Sequence, residues 1–316
     1  MKLGKSILII SLCSSFLFSI AACSFQKTKK SEAGEIKYLI GMSQANLGEP
    51  WRVVMNEEIK EEASHHDGTR VIFTDAGQSS QKQISDVEKL IGLGIDLLII
   101  SPNEAEPLTP IIRKVHKKIP VIILDRAIIG DDYTMFIGAD NKLIGKMAGQ
   151  FVQDLLGPKG GNVVEITGLP GSPPAKERSV GFRNEIAKQA NIHVVKTLVA
   201  DWLRDNAESK FQTYLTQNNQ IDLVYAHNDP MALGAYHAAN LAGKKGIIYV
   251  GIDGLPGPNG GLDLVKRHIL KGTFIYPNGG KEAVRYALKI LHDEKVPKKV
   301  TLKSIKITEN TLDEVE

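Results

Sequence analysis

Cysteine is almost absent from this chain: 316 residues contain only Cys13 and Cys23. That excludes a disulfide-dense secreted scaffold and a cysteine-based zinc module, so a buried apolar core must supply the stability, and the chain is long enough to build one. Aromatic residues are sparse at 6%, with two tryptophans, Trp51 and Trp202. Charge of either sign is not in excess either, since 39 Lys and Arg against 36 Asp and Glu leave +3. Without a concentrated basic patch, nucleic acid is not expected as a partner. Long hydrophobic runs are missing as well. The apolar stretch 6–22, behind Lys2 and Lys5, is too short for a membrane span and reads as a secretion signal over residues 1–22.

Catalytic patterns are also lacking. Gly168-Leu169-Pro170-Gly171-Ser172-Pro173-Pro174 does not have the flanking glycines of a nucleophile elbow. Gly92-Leu93-Gly94-Ile95-Asp96-Leu97 lacks the third glycine of a dinucleotide fingerprint and precedes a strand instead of following one. No Gly-rich loop ends in Lys-Ser or Lys-Thr, and the side chains of the adjacent His65 and His66 would point apart on a helix. The chain is therefore expected to be no enzyme and to carry no cofactor and no metal. A secreted hydrolase remains a remote alternative, because a glycosidase needs two carboxyls at a set separation with one pKa raised, which spacing cannot exclude.

The residues after the signal point to a tethered protein. Ala21-Ala22-Cys23 resembles the lipobox of bacterial lipoproteins, which implies cleavage before Cys23 and lipidation of its thiol; an ordinary secretion signal with an incidental cysteine is the alternative. Cleavage would leave 316 minus 22, or 294 residues, with Cys23 as the only thiol and a net charge of +1 once Lys2 and Lys5 are lost. Residues 23–35 are polar and aperiodic, as a flexible tether would be.

From Ile36 onward, short apolar runs alternate with amphipathic stretches. Strands are predicted at 36–42, 70–74, 96–101, 121–125, 135–138, 162–167, 194–199, 223–226, 247–252 and 273–276, with helices between most of them. In the first helix Trp51, Met55, Ile59 and Ala63 recur every four residues; in the fourth, Ile144, Met147 or Ala148, Phe151 and Leu155 do so. This alternation predicts an α/β protein with parallel sheets covered on both faces. Ten strands suit two doubly wound parallel-sheet lobes with a ligand cleft between them better than one small sheet.

In such sheets ligands lie beyond the carboxyl ends of the strands. The run Pro120-Val121-Ile122-Ile123-Leu124 ends there in Asp125-Arg126, an acceptor beside a planar donor fork, a pairing that suits a ligand covered in hydroxyls. An Asp capping a local turn beside a solvated Arg would read the same way. If the pair faces an open, water-filled cleft, it should matter to binding more than to folding. Asn228 follows the strand 223–226 with both a donor and an acceptor, while Asp229-Pro230 reads as helix cap and first turn. Asp253, among glycines after 247–252, is a second candidate acceptor. Arg178 in the first turns of a helix either faces the cleft or pairs with Glu177 or solvent. Trp51 and Trp202 are either packing residues or, one from each lobe, ring faces against a sugar.

Taken jointly, Gly41-Met42-Ser43-Gln44, Trp51-Arg52, Leu124-Asp125-Arg126, Gly138-Ala139-Asp140-Asn141, Lys176-Glu177-Arg178, Ala200-Asp201-Trp202, His227-Asn228-Asp229 and Gly251-Ile252-Asp253-Gly254 carry a family resemblance. From about Ile36 nearly to its end, the chain resembles the periplasmic sugar-binding proteins of the ribose- and galactofuranose-binding type, solute-binding proteins of ABC importers with the type 1 fold. The resemblance implies that Asp125, Arg126, Arg178, Asn228 and Asp253 hydrogen-bond a monosaccharide and that Trp202 stacks on it. Trp51-Arg52 is more similar to the galactofuranose binders than to the ribose binders, in which two phenylalanines follow the proline. The family's three-crossover hinge would fall near Ala139, Tyr276 and Ser304. That gives one lobe from 36–139 and 277–303 and another from 140–276 and 304–316. Tyr276-Pro277-Asn278-Gly279-Gly280 departs from the usual glutamine-containing hinge, and Tyr276 joins the candidate ligand set.

Two functions share this chemistry: delivery of a pentose or hexose, in pyranose or furanose form, to an ABC permease, or docking on a membrane sensor kinase or chemoreceptor. Either way a monomer is expected, outside the cytoplasm and lipid-anchored through Cys23 to the outer face of the cytoplasmic membrane. The fold is shared with sugar-responsive repressors, but a secretion signal stands where their DNA-binding helices would be.

Overall fold

A computed structural model describes residues 36–217 and 220–315; the predicted signal, the tether and Cys23 lie outside them. In chain order the strands and helices are β1 (Tyr38–Gln44), α1 (Pro50–Ser64), β2 (Thr69–Asp75), α2 (Ser80–Gly92), β3 (Leu97–Ile100), α3 (Ala105–His116), β4 (Val121–Leu124), β5 (Met135–Ala139), α4 (Asn141–Leu156), β6 (Gly161–Thr167), α5 (Pro173–Ile186), β7 (Ile192–Val199), α6 (Arg204–Leu215), β8 (Leu223–Ala226), α7 (Asp229–Leu241), β9 (Ile248–Val250), α8 (Gly261–Lys266), β10 (Thr273–Ile275), α9 (Gly280–Leu291), β11 (Lys299–Leu302) and β12 (Ile305–Ile307). The ten expected strands are present, with ends shifted by no more than two residues. Two short strands, β11 and β12, are additional. Their side chains are mostly exposed or half-buried, so they lack the apolar run that marks a central strand.

Parallel pairing requires a crossover between successive strands; helices supply most of them, and the helix-free loop 125–134 joins β4 to its parallel neighbour β5. The first sheet has the order β11-β5-β4-β3-β1-β2, parallel throughout. The second, β7-β6-β8-β9, is also parallel. It is continued by β10 through single bridges at Val250–Gly272 and Asp253–Ile275, with β12 antiparallel to β10. The chain passes from one sheet's lobe to the other three times: between β5 and α4, between β10 and α9, and between β11 and β12. Among the described residues no helix is long and apolar enough to cross a membrane.

Central strands carry the core. Val121, Ile122, Ile123 and Leu124 of β4 are fully buried, which gives a gross gain of roughly 6–12 kcal/mol at 1.5–3 kcal/mol per side chain. Their odd and even members face different helices: Ile122 and Leu124 join the cluster containing Met55 and Ile59 of α1, and Val121 and Ile123 the cluster containing Leu108 and Ile112 of α3. Beyond Leu124 the strand stops because Asp125 turns into the left-handed region at φ 68°. In the second lobe α4 and α5 lie so close that a Cβ at Gly145 would sit 2.2 Å from the carbonyl oxygen of Arg178. Glycine there fixes the position of α5, and Arg178 with it.

Candidate functional site

The strand ends of both lobes converge on one cavity. It is lined by all nine residues singled out from the sequence, Trp51, Arg52, Asp125, Arg126, Arg178, Trp202, Asn228, Asp253 and Tyr276, together with Glu49 and Pro174. Asp125 and Arg126 do not face open water. They are 5% and 1% exposed, so the expectation of a solvated pair at a cleft edge is corrected: the lobes meet around them.

Burial is tolerable because the charges are paired. Asp125 accepts from Arg52 Nη2 at 3.0 Å and from the Tyr276 hydroxyl at 2.6 Å, with Arg126 Nε 3.9 Å away. Arg52 also donates to Glu49 Oε1 at 3.0 Å, to Gln44 Oε1 at 2.8 Å and to Ser101 Oγ at 2.9 Å. Four of its five N–H groups are thereby used, and its main role is to hold Asp125 and Glu49. Arg126 donates from Nη1 to Asn103 O at 2.9 Å and from Nη2 to Glu49 Oε1 at 3.4 Å, which leaves it more free N–H groups. Burial and the neighbouring Arg52 push the Arg126 pKa down to about 10, so it remains cationic at neutral pH.

Across the cavity, Arg178 enters from the second turn of α5. Its Nε donates to Asn141 Oδ1 at 2.9 Å and its Nη1 to the His227 carbonyl; Nη2 makes no hydrogen bond among the described residues. Of the two alternatives read from the sequence, Arg178 therefore faces the cleft, 2% exposed. The Trp202 ring is flanked by both lobes' guanidinium groups, Arg126 at 5.5 Å and Arg178 at 5.4 Å from its centroid. Trp51 packs against Tyr276, with centroids 5.0 Å apart and the rings tilted by 31°, and donates to the Tyr276 carbonyl at 2.7 Å. It therefore offers the cavity one ring face at most.

Asn228 lines the cavity, as expected, but it also takes the cap role that the sequence assigned to Asp229. Asn228 is the cap of α7: its Oδ1 accepts from Met231 N at 2.9 Å, while its Nδ2 donates to Trp202 O at 3.0 Å. Asp229 is instead fully buried. Its carboxylate accepts from Thr273 Oγ1 at 2.7 Å and from Gly254 N at 2.8 Å, which ties α7 to β10. The backbone of Asp253, at φ 135°, is paired, its carbonyl accepting from Tyr276 N at 3.0 Å, while its carboxylate receives no hydrogen bond from a described residue. Burial first, and then the Asp229 charge, push its carboxyl well above the usual range.

The remaining partners escaped the sequence reading. Glu49 binds both Arg52 and Arg126, and Asn46 Nδ2 holds its Oε1 at 2.7 Å. Asn141 links Arg178 to the Tyr276 hydroxyl, to which its Nδ2 donates at 3.2 Å. Three carboxyls, Glu49, Asp125 and Asp253, and three guanidiniums, Arg52, Arg126 and Arg178, line the cavity.

A family model described as a periplasmic binding protein domain matches residues 40–295. The chain belongs to the periplasmic binding protein family. Within it, the chain is of the sugar-binding type. It is 36% identical over 292 residues to the ribose import binding protein of Bacillus subtilis (strain 168), covering 90% of this chain and 93% of that protein. It is 30% identical over 262 residues to the galactofuranose-binding protein of Escherichia coli (strain K12), covering 80% and 78%. Among solved structures, the fructose-binding periplasmic domain of a hybrid two-component system superposes with a TM-score of 0.84 at 42% identity, covering 87% of this chain and 92% of that one. As periplasmic binding proteins, these relatives bind sugars, and none is named as an enzyme.

Proposed function

We propose that the protein captures one neutral monosaccharide, a pentose or hexose in furanose form, between its lobes and releases it to an ABC importer. The observation that carries this reading is the set of three carboxyls and three guanidiniums, contributed by both lobes, that line one cavity. A phosphorylated or acidic sugar calls for surplus positive charge, whereas hydroxyls need the mixture of forks and carboxylates that Arg126, Arg178, Asp125 and Asp253 provide. Arg178 Nη2 and the Asp253 carboxylate are left over by the protein's own bonding, so a ligand hydroxyl can accept from one and donate to the other. In this reading Trp202 and the free face of Trp51 cover the ring's C–H faces, and Tyr276 and Asn228 set its edges. The lobes comprise 36–139 with 277–303 and 140–276 with 304–316. Ligand contact with both favours the closed form. The furanose preference draws on the galactofuranose-binding relative and on Trp51-Arg52.

The protein works outside the cytoplasm, as periplasmic binding proteins do, as a monomer tethered by residues 23–35 to a lipid on Cys23. A second reading, sensing through a two-component partner, is favoured by the 42% identity to the fructose-binding domain, which is higher than the 36% to the ribose importer's protein. Tryptophan fluorescence and thermal shift across D-ribose, D-fructose, D-galactose, L-arabinose and their phosphates test the ligand class. The neutral sugars should shift both signals and the phosphates neither. A phosphate ester binding more tightly than its parent sugar would overturn the charge argument. Deleting the genome's candidate permease genes and following uptake separates import from sensing.

A further inference from the structure

Helix α3 begins without a side-chain cap. Glu104 holds the cap position at φ −136°, ψ 146°, but its side chain makes no bond to the first turn; its carboxylate accepts instead from Ser80 Oγ at 2.7 Å. The first amides of a helix need acceptors from elsewhere. Ala105 N finds one at 3.2 Å in Gly171 O, which lies after β6 in the opposite lobe. The approach is tight: a Cβ at 171 would sit 2.2 Å from Glu104 Oε1. A second bridge crosses elsewhere, where Gln78 Nε2 donates to Asp201 O at 3.1 Å. Gln78, Asp201 and Trp202 all have positive φ, 66°, 56° and 73°, a region that non-glycine residues seldom occupy. None of Gln78, Ala105, Gly171 and Asp201 lines the sugar cavity. Both acceptor loops nevertheless lead directly to residues that do, Pro174 and Trp202.

We propose that these two bridges form an interlobe clasp that sets sugar affinity from outside the cavity, because they exist only when the lobes are together. With the lobes apart the same groups bond to water, so closure gains the bridges and release must break them. Their contribution therefore appears in the dissociation rate. The clasp rests on the lobe closure proposed for the sugar site.

Ala105→Pro deletes the N–H and puts the ring Cδ in its place, facing Gly171 O, so it removes the bond and also opposes the close approach at that point. Proline is favoured at the first helical position, and the Glu104 conformation is the one a following proline requires. Gln78→Ala removes the other donor from a side chain that has no other bond. Loss of the Gln78 hydrogen bond should raise Kd roughly two- to tenfold, and Ala105→Pro should raise it by at least as much. The full-length protein and both variants would be titrated with D-ribose, D-fructose, D-galactose and L-arabinose, and followed by stopped-flow tryptophan fluorescence with the sugar that binds the parent most tightly. Expected are faster dissociation, unchanged association and unchanged unliganded melting temperatures, with Ala105→Gly, which keeps the N–H, behaving like the parent. Parent-like dissociation in both variants would overturn the clasp, as would an Ala105→Gly effect equal to that of Ala105→Pro. Small-angle scattering of the parent separates the two levels. A radius of gyration unchanged by saturating sugar removes closure and the clasp together; shrinkage with parent-like variants removes the clasp alone. No binding of any of these sugars overturns the proposed function itself.

Discussion

Replacing Asp125 with Ala removes the group on which the first lobe's half of the site converges. Two buried donors then lose their acceptor: Arg52 Nη2, now at 3.0 Å, and the Tyr276 hydroxyl, now at 2.6 Å. Arg52 and Tyr276 are 1% and 4% exposed, so with the lobes together neither gains full access to water. Breaking a buried pair by deleting one partner costs about 3–5 kcal/mol. The closed form bears most of this, because opening lets water reach the stranded groups, and Kd should rise at least about 100-fold. Part of the cost falls on folding, since Arg52 and Gln44 belong to the same lobe as Asp125. About 2 kcal/mol there corresponds to a drop of roughly 4–8 °C in melting temperature. Asp125→Asn should be intermediate, because the amide keeps the shape and tolerates φ 68° but turns one acceptor into a donor. Calorimetric titration and thermal melts of both variants check this. Affinity within threefold of the parent in Asp125→Ala would refute the reasoning.

Asp253→Asn should melt at a higher temperature than the parent at pH 7 yet bind sugar roughly tenfold more weakly, since it removes a carboxyl whose ionised form burial and the Asp229 charge disfavour in the folded protein. A raised carboxyl means that the folded state takes up protons more readily than the unfolded chain, so the parent should gain stability as pH falls through that raised value; melts of Asp253→Asn should lack the gain. Glu165 acts in the opposite sense. Burial would raise it, but the His227 hydrogen bond, the Ser179 hydroxyl and the Arg183 guanidinium hold it at about 2 against an ordinary 4.5. Its stabilisation, about 3 kcal/mol, is complete above pH 4.5 and lost as pH falls toward 2, and Glu165→Gln should flatten that acid limb of the melting curve. Gly145→Ala should lower both stability and sugar affinity by displacing Arg178, while Gly92→Ala, where an added Cβ meets nothing within 4 Å, should change neither in the same melts and titrations.

The legible parts of this molecule were those set by local pattern. Asp125 and Arg126 stand out because a four-residue apolar run stops at them, and β4 ends there in the structure. Glu49 was hidden for a comparable reason. It precedes Pro50 at a helix entry, and its partner Arg126 lies 77 residues further along the chain. The assignment of caps at Asn228-Asp229-Pro230 failed because either acidic or amide residue can cap a helix that has proline in its first turn. The choice is made by Thr273 and Gly254, which claim the Asp229 carboxylate from distant parts of the chain. Strands β11 and β12 carry alternating polar residues, which an edge position permits and a periodicity search discounts.

The most direct test of a sugar held between two lobes is titration of one neutral sugar, the tightest binder among ribose, fructose, galactose and arabinose, into the parent, Arg126→Ala and Arg178→Ala. The two guanidiniums belong to different lobes and flank the same Trp202 ring. A single sugar bridging them predicts one site per chain in the parent and a loss of at least about tenfold in each variant, from charge-assisted bonds worth roughly 1.5–3 kcal/mol. Parent-like affinity in either variant would contradict it, because the ligand would then touch only one lobe.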